Sequence, residues 1–207
     1  MFHKLIISIL TIPMVFGATA QSNHSPVFSD EMVNFAWDVN VPINNNFTNK
    51  TSLDGFKLEF RKMIKNDLSV GLEINWAAYD QYTPRKTYQI PNGAITTDFY
   101  SYLYTFPLAL NVHHYFHVSN IISPYAGIAL GATYAEEKLY YNTYVSSDYN
   151  WGFLIRPEVG AIVRFSENSP AGLLLGVRYS YSTNKQNDFN IDGIQSLGFQ
   201  LGIVFMK

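Results

Sequence analysis

Leu68-Ser69-Val70-Gly71-Leu72-Glu73-Ile74-Asn75-Trp76 places an apolar side chain on every even position and a serine, glycine, carboxylate or amide on every odd one. Side chains alternate across a β-strand with period two, so the stretch reads as a strand with one apolar and one polar face. Upstream, Phe56, Leu58 and Phe60 oppose Lys57, Glu59 and Arg61, and Val33, Phe35, Trp37, Val39 and Val41 oppose Asn34, Ala36, Asp38 and Asn40. Downstream, Tyr100, Tyr102, Tyr104, Phe106, Leu108, Leu110 and Val112 share one parity, and Ala126, Ile128, Leu130, Ala132 and Tyr134 oppose Gly127, Ala129, Gly131 and Thr133. Three further segments obey the same rule. Trp151, Phe153, Ile155, Val159, Ala161, Val163 and Phe165 oppose Gly152, Arg156, Glu158, Gly160 and Arg164. Leu173, Leu175, Val177, Tyr179 and Tyr181 oppose Gly176, Arg178 and Ser180. Leu197, Phe199, Leu201, Ile203 and Phe205 oppose Ser196, Gly198, Gln200 and Gly202. The pattern predicts an all-β chain: a closed antiparallel up-and-down barrel of about eight strands.

The composition fits a wall that meets something other than water. Of 207 residues 15 are Tyr and 15 Phe, and only 14% are charged, against about 25% in soluble domains. A formal charge of -2 gives no basic excess to drive binding to a phosphate backbone, which argues against nucleic acid as a partner. The lack of cysteine excludes disulfides, thiolate metal sites and a cysteine nucleophile. Lys4, the apolar run from Leu5 to Phe16 and the small-residue end Ala18-Thr19-Ala20 read as a secretory signal cleaved before Gln21. The expected organisation is a signal peptide over 1–20, a short periplasmic segment over 21–31 and a barrel over 32–207. No segment after residue 20 approaches the ~18 consecutive apolar residues of a helical span, so any membrane crossing would be made by strands.

Connections after strands one, three, five and seven read as long and polar (Asn44 to Asp54, Asp80 to Thr97, Glu136 to Tyr149, Thr183 to Ile194), and the others as shorter. Long loops on one rim and short turns on the other are the outer-membrane arrangement, with the long loops outside the cell. Trp76, Tyr100, Tyr102, Tyr134, Trp151, Phe153, Tyr179 and Tyr181 then fall near the outer end of their strands, and Phe116, Phe165 and Phe205 near the inner end. That sorting predicts two interfacial aromatic girdles in contact with outer-membrane lipid.

The polar parity carries Asp38, Lys57, Glu59, Arg61, Glu73, Arg156, Glu158, Arg164 and Arg178. Facing lipid, each Lys or Arg near the midplane would cost roughly 2 to 4 kcal/mol, so these residues are assigned to the interior. An eight-stranded barrel is just wide enough for side chains to fill, so paired charges there predict a plug rather than a channel. If Phe165 faces Ala171 around the sixth connection, antiparallel register sets Glu158 opposite Arg178 within salt-bridge reach. Pro107 and Pro157 fall inside strands, where each forfeits a ladder hydrogen bond, and local distortion is expected at both.

Chemistry-bearing motifs are sparse. His113, His114 and His117 cluster at the end of the fourth strand, read as a solvated periplasmic turn rather than a metal site. None of the histidines after residue 20 lies in a long loop, which weighs against an outer-rim hydrolase or acyltransferase. No catalytic, cofactor-binding or metal residue is assigned. Tyr and Asn recur in the loops, at Asn44, Asn45, Asn46, Tyr82, Tyr88, Tyr140, Tyr141, Tyr144 and Tyr149, the composition of adaptable contact surface.

Three segments resemble the small outer-membrane β-barrel family that includes PorT-like, OmpX-like and OmpW-like proteins: Tyr104-Thr105-Phe106-Pro107-Leu108-Ala109-Leu110, Pro124-Tyr125-Ala126-Gly127-Ile128-Ala129-Leu130-Gly131, and Arg156-Pro157-Glu158-Val159-Gly160. The final strand, with Phe205 followed by Met206 and Lys207, resembles the terminal signal read by the outer-membrane assembly machinery. The resemblance implies a bacterial outer-membrane location and the assembly machinery as a partner during biogenesis. The expected role is structural or surface-binding and non-enzymatic, with the surface ligand unknown. A narrow pore or transport accessory is one alternative; a soluble periplasmic lipocalin-like calyx is the other.

Overall fold

The computed structural model describes residues 30–43, 47–91, 93–186, 189 and 191–207. Eight antiparallel strands follow one another around a closed barrel: β1 (Glu31–Ile43), β2 (Ser52–Lys65), β3 (Leu68–Ile90), β4 (Gly93–Tyr115), β5 (Ile122–Tyr141), β6 (Tyr144–Arg164), β7 (Ala171–Gln186) and β8 (Ile191–Met206). β1 and β8 close the ring with an unbroken register from Met32↔Met206 to Ile43↔Gln195, so no edge of the sheet is left open. The expected signal peptide, most of the 21–31 segment and Asn44, Asn45 and Asn46 lie outside the described residues.

Parity decides the two faces as the alternation predicts. Leu130 is 46% and Leu201 49% exposed on the outer wall, whereas their strand neighbours Ala129 and Gln200 point inward at 3% and 4%. The inward parity is not polar throughout. Met32, Ala36, Tyr115, Tyr125, Ile162, Leu174, Val204 and Met206 form an apolar layer at the end that holds the terminal residue. Phe47, Ala77, Tyr79, Leu103, Ala135, Ile191 and Ile194 form a second layer at the far end, where the rings of Phe47 and Phe189 lie 5.0 Å apart. The charged residues sit between these layers.

The connections depart from expectation. Asp80 to Thr97 and Glu136 to Tyr149 are chiefly strand: β3 runs to Ile90 and β4 starts at Gly93, and β5 and β6 meet in a tight turn at 142–143. Thr, Tyr and Ile recur in the first stretch and Tyr in the second, all of which favour strand, and Asn142 takes the left-handed conformation the second turn requires (φ 52°). β3 and β4 each run 23 residues, roughly twice the ~10 that span a bilayer. The far end is therefore tall because its hairpins stay hydrogen-bonded, not because its loops are long. At the opposite end the connections 116–121 and 165–170 are longer than those closing β3–β4 and β5–β6, though shorter than 44–51 between β1 and β2.

Both prolines distort the sheet without shifting it. β3 and β4 pair up to Ile74↔Leu108 and resume at Ala77↔Thr105, skipping the two rungs that would join Asn75 and Trp76 to Pro107 and Phe106. β6 and β7 likewise skip from Ile155↔Tyr181 to Glu158↔Arg178 around Pro157. Proline has no N–H to donate, and the flanking rungs hold the register while the ladder opens locally.

Candidate functional site

The strands aim Asp38, Lys57, Glu59, Arg61, Glu73, Arg156, Glu158 and Arg178 into one layer of the lumen, each no more than 4% exposed. Four cations meet four carboxylates, so the layer is neutral. Its centre is Lys57 on β2, fully buried, with Nζ 2.9 Å from Glu158 and 3.3 Å from both Glu59 and Glu73. Glu59 and Glu73 face each other directly across β2 and β3. Like charges so placed repel, and the shared lysine between them offsets that repulsion. Arg61 grips Glu59 through Nε at 2.6 Å and Nη2 at 2.8 Å, the two-pronged geometry a guanidinium offers a carboxylate. Arg156 donates to Glu73 at 2.7 Å and to Ser180 at 2.8 Å.

Glu158 and Arg178 occupy facing positions on β6 and β7, the register read from the turn between them. They do not pair. Arg178 passes over Gly198 on β8 to Asp38 on β1, and Glu158 accepts from Lys57, from Tyr125 Oη at 2.6 Å and from Gln200 at 3.1 Å. The missing side chain of Gly198 opens the path from Arg178 to β1, and the narrow lumen brings Lys57 of β2 to Glu158 of β6. Arg164, also expected in the interior set, stands apart at the end of β6, where Nη1 donates to the carbonyl of Glu167 at 3.1 Å.

His113 is not part of a solvated turn. It is 1% exposed on the inward face of β4, 3.9 Å from Glu59 and 3.8 Å from Glu158, with its ring edge-on to Tyr125 at 5.2 Å. His114 points the other way, beside Asp67 at 3.6 Å. Alternation separates adjacent histidines to opposite faces, so the cluster seen in sequence does not converge. Tyr115, Tyr125, Asn34, Asn111 and Gln200 join the network as neutral partners. Inward parity at the same height is the signal that finds them. Glycine makes room for the large ones: a Cβ on Gly160 would come within 2.7 Å of the Tyr125 hydroxyl, and one on Gly198 within 2.7 Å of Arg178 Nε.

On the outer wall, Trp37 faces Phe56, Phe56 faces Trp76, Phe106 faces Tyr134 and Tyr134 faces Trp151. With Trp76 opposite Phe106 across the open rungs, aromatic side chains form a continuous oblique row over six strands. Trp76, Tyr100, Trp151, Tyr179, Phe165 and Phe205 are exposed on this surface, as are Trp37, Phe56 and Phe106, which sorting by loop proximity had missed. Tyr102, Tyr134 and Tyr181 are half-buried on it, Tyr102 stacked on Tyr104 and packed against Tyr140, and Tyr134 against Trp151.

No family model and no curated protein sequence matches the chain. Solved structures do. The chain is similar to Neisserial surface protein A (NspA) at 17% identity and a TM-score of 0.58, covering 86% of this chain and 98% of that one. It is also similar to Ail, the attachment invasion locus protein of Yersinia pestis, at 14% identity and a TM-score of 0.50, covering 84% and 97%. The fold is that of the small outer-membrane β-barrels.

The far end, built by the 23-residue strands β3 and β4, is the taller rim of the barrel. There Glu137 lies fully buried above the aromatic row, facing Leu103 on β4 and Asp148 on β6. Asn150 donates to Glu137 Oε1 at 3.1 Å, while Oε2 has no hydrogen-bond partner among the described residues. Burial, with Asp148 nearby, pushes the Glu137 carboxyl from 4.5 up to about 7 against that hydrogen bond. The folded state therefore holds a proton that the unfolded chain releases, and stability falls as pH rises from about 4.5 to about 7. A barrel carrying Glu137→Gln is expected to show a smaller loss of thermal midpoint between pH 5 and pH 8 than the parent; an equal loss would remove Glu137 from the account.

Proposed function

We propose that this chain is an integral outer-membrane barrel with a structural or surface-binding role and no enzymatic activity, exported through a cleaved signal peptide and inserted by the assembly machinery of that membrane. The interior charges act as a neutral, stabilising plug. The observation that carries the reading is Lys57 at 0% exposure, bound to three carboxylates in the lumen, on a barrel whose outer wall is an apolar band. A soluble calyx would place its apolar face around a ligand cavity. Here that face points outward and the lumen holds ion pairs. Surface binding is assigned to the two tall hairpins, where Tyr82, Tyr140, Tyr144 and Tyr149 are exposed; tyrosine supplies large contact area at low conformational cost.

The rival reading, a narrow pore, is tested by single-channel recording of the refolded protein in planar bilayers. A plug predicts a flat baseline at moderate voltage, with steps emerging only when network residues are removed. Steady unitary conductance from the unmodified protein would replace the plug by a pore.

A further inference from the structure

The opening at Pro107 has a consequence on the lipid side. Where β3 and β4 skip two rungs, the outer wall is indented into a groove of about 360 Å³, within the ~300–1,000 Å³ of small-ligand sites. Trp76, Phe106, Tyr104 and Tyr134 form its walls, and Glu136 and Lys138 its extracellular rim. Lys138 Nζ lies 2.9 Å from Glu136 and 5.4 Å from the centre of the Tyr104 ring, so the ammonium is held over the groove instead of trailing into water. Polarity rises along the groove in one direction: Phe106 and Tyr134 face each other beside Trp76, Tyr104 faces Glu136 one step on, and Lys138 follows. That is the polarity profile of a membrane amphiphile.

We propose that this groove binds one phosphate-bearing lipid of the outer leaflet, its chain laid against Trp76, Phe106 and Tyr134 and its phosphate on Lys138. An ammonium has three donors, and Glu136 engages one, which leaves two for phosphate oxygens. Glu136 also repels a small free anion, so the phosphate is held only when its attached chain fills the aromatic walls. The inference rests on the membrane reading above, and the test separates the two: a failure of that reading appears as a barrel that does not assemble, a failure of the inference as an assembled barrel without lipid selectivity.

The experiment uses protein refolded in a non-ionic detergent, with assembly verified by gel mobility, and native mass spectrometry after addition of dioleoyl phosphatidate, dioleoylglycerol or inorganic phosphate. One phosphatidate per barrel is expected, bound about tenfold more weakly by Lys138→Gln, the loss of a charge-assisted hydrogen bond. Lys50→Gln is the control, because Lys50 is also ion-paired on the extracellular side, 2.7 Å from Asp80, but lies outside the groove. Equal retention by the Lys138 and Lys50 variants, equal retention of dioleoylglycerol, or displacement by inorganic phosphate at equal concentration would each overturn the proposal.

Discussion

Lys57→Met is expected to destabilise the barrel by about 3–5 kcal/mol, the usual cost of removing one partner from a buried ionic cluster. The side chain has no exposure, and its loss leaves Glu59, Glu73 and Glu158 gathered without the cation they share. Methionine matches the stem in length, so the effect is charge rather than cavity. Adding Glu158→Gln should recover a large part of the loss, because glutamine can still accept from Tyr125 while one uncompensated carboxylate disappears. A second pair gives the contrast. Glu158→Gln and Arg178→Met should couple more weakly than Lys57→Met and Glu158→Gln, since the two side chains face each other within one charged layer yet hydrogen-bond to different partners. Urea unfolding in detergent micelles measures both cycles; strong coupling between Glu158 and Arg178 would mean the interior is arranged along the wall and not across it.

Leu130→Arg and Leu201→Arg carry the second large effect. Each places a guanidinium on the outer face near mid-strand, where it costs about 2–4 kcal/mol against lipid. The two sites lie on β5 and β8, far apart on the ring, so the double variant should lose the sum and assemble poorly. Ala129→Ser, one residue from Leu130 but turned inward beside Ala109 and Leu154, should assemble at near-normal yield. Gln200 is a poor control for Leu201, because it bonds both Lys57 and Glu158. Folding into vesicles and counting the protease-protected fraction reads the difference. Similar yields for Leu130→Arg and Ala129→Ser would contradict the assignment of the outer wall.

How far the sequence alone reaches can be traced through particular residues. Alternation in Leu68 to Trp76 and its counterparts locates the strands and both faces, because period two is a local property of the backbone. The register of β6 on β7 is readable too, since antiparallel pairing propagates from the connection at 165–170. What a side chain does inside the ring is not local. Arg178 reaches Asp38 at a separation of 140 residues, over the space that Gly198 leaves on β8, and His113 is drawn inward by the parity of β4 although its neighbours suggest a wet turn. The stretch from Asp80 to Thr97 misleads for a different reason. Its polarity is that of a loop, but Thr87 and Thr96 bond side chain to side chain at 2.8 Å and Tyr82 packs on Tyr100 at 4.8 Å, so a solvated hairpin continues the sheet. The apolar layers at the two ends of the lumen were likewise hidden, because Ile162, Leu174 and Val204 share the parity of the charged residues.

The central claim is a closed barrel held in a membrane by its outer wall and in shape by its interior. Electrophoretic mobility of the membrane-extracted protein, with and without boiling in dodecyl sulfate, tests it most directly. A network with Lys57 at its centre should keep the barrel folded in the detergent until heated, giving a membrane-pelleted protein with two distinct positions on the gel, the boiled one at the unfolded mass. A single position before and after boiling, from protein recovered in the soluble fraction, would contradict the account.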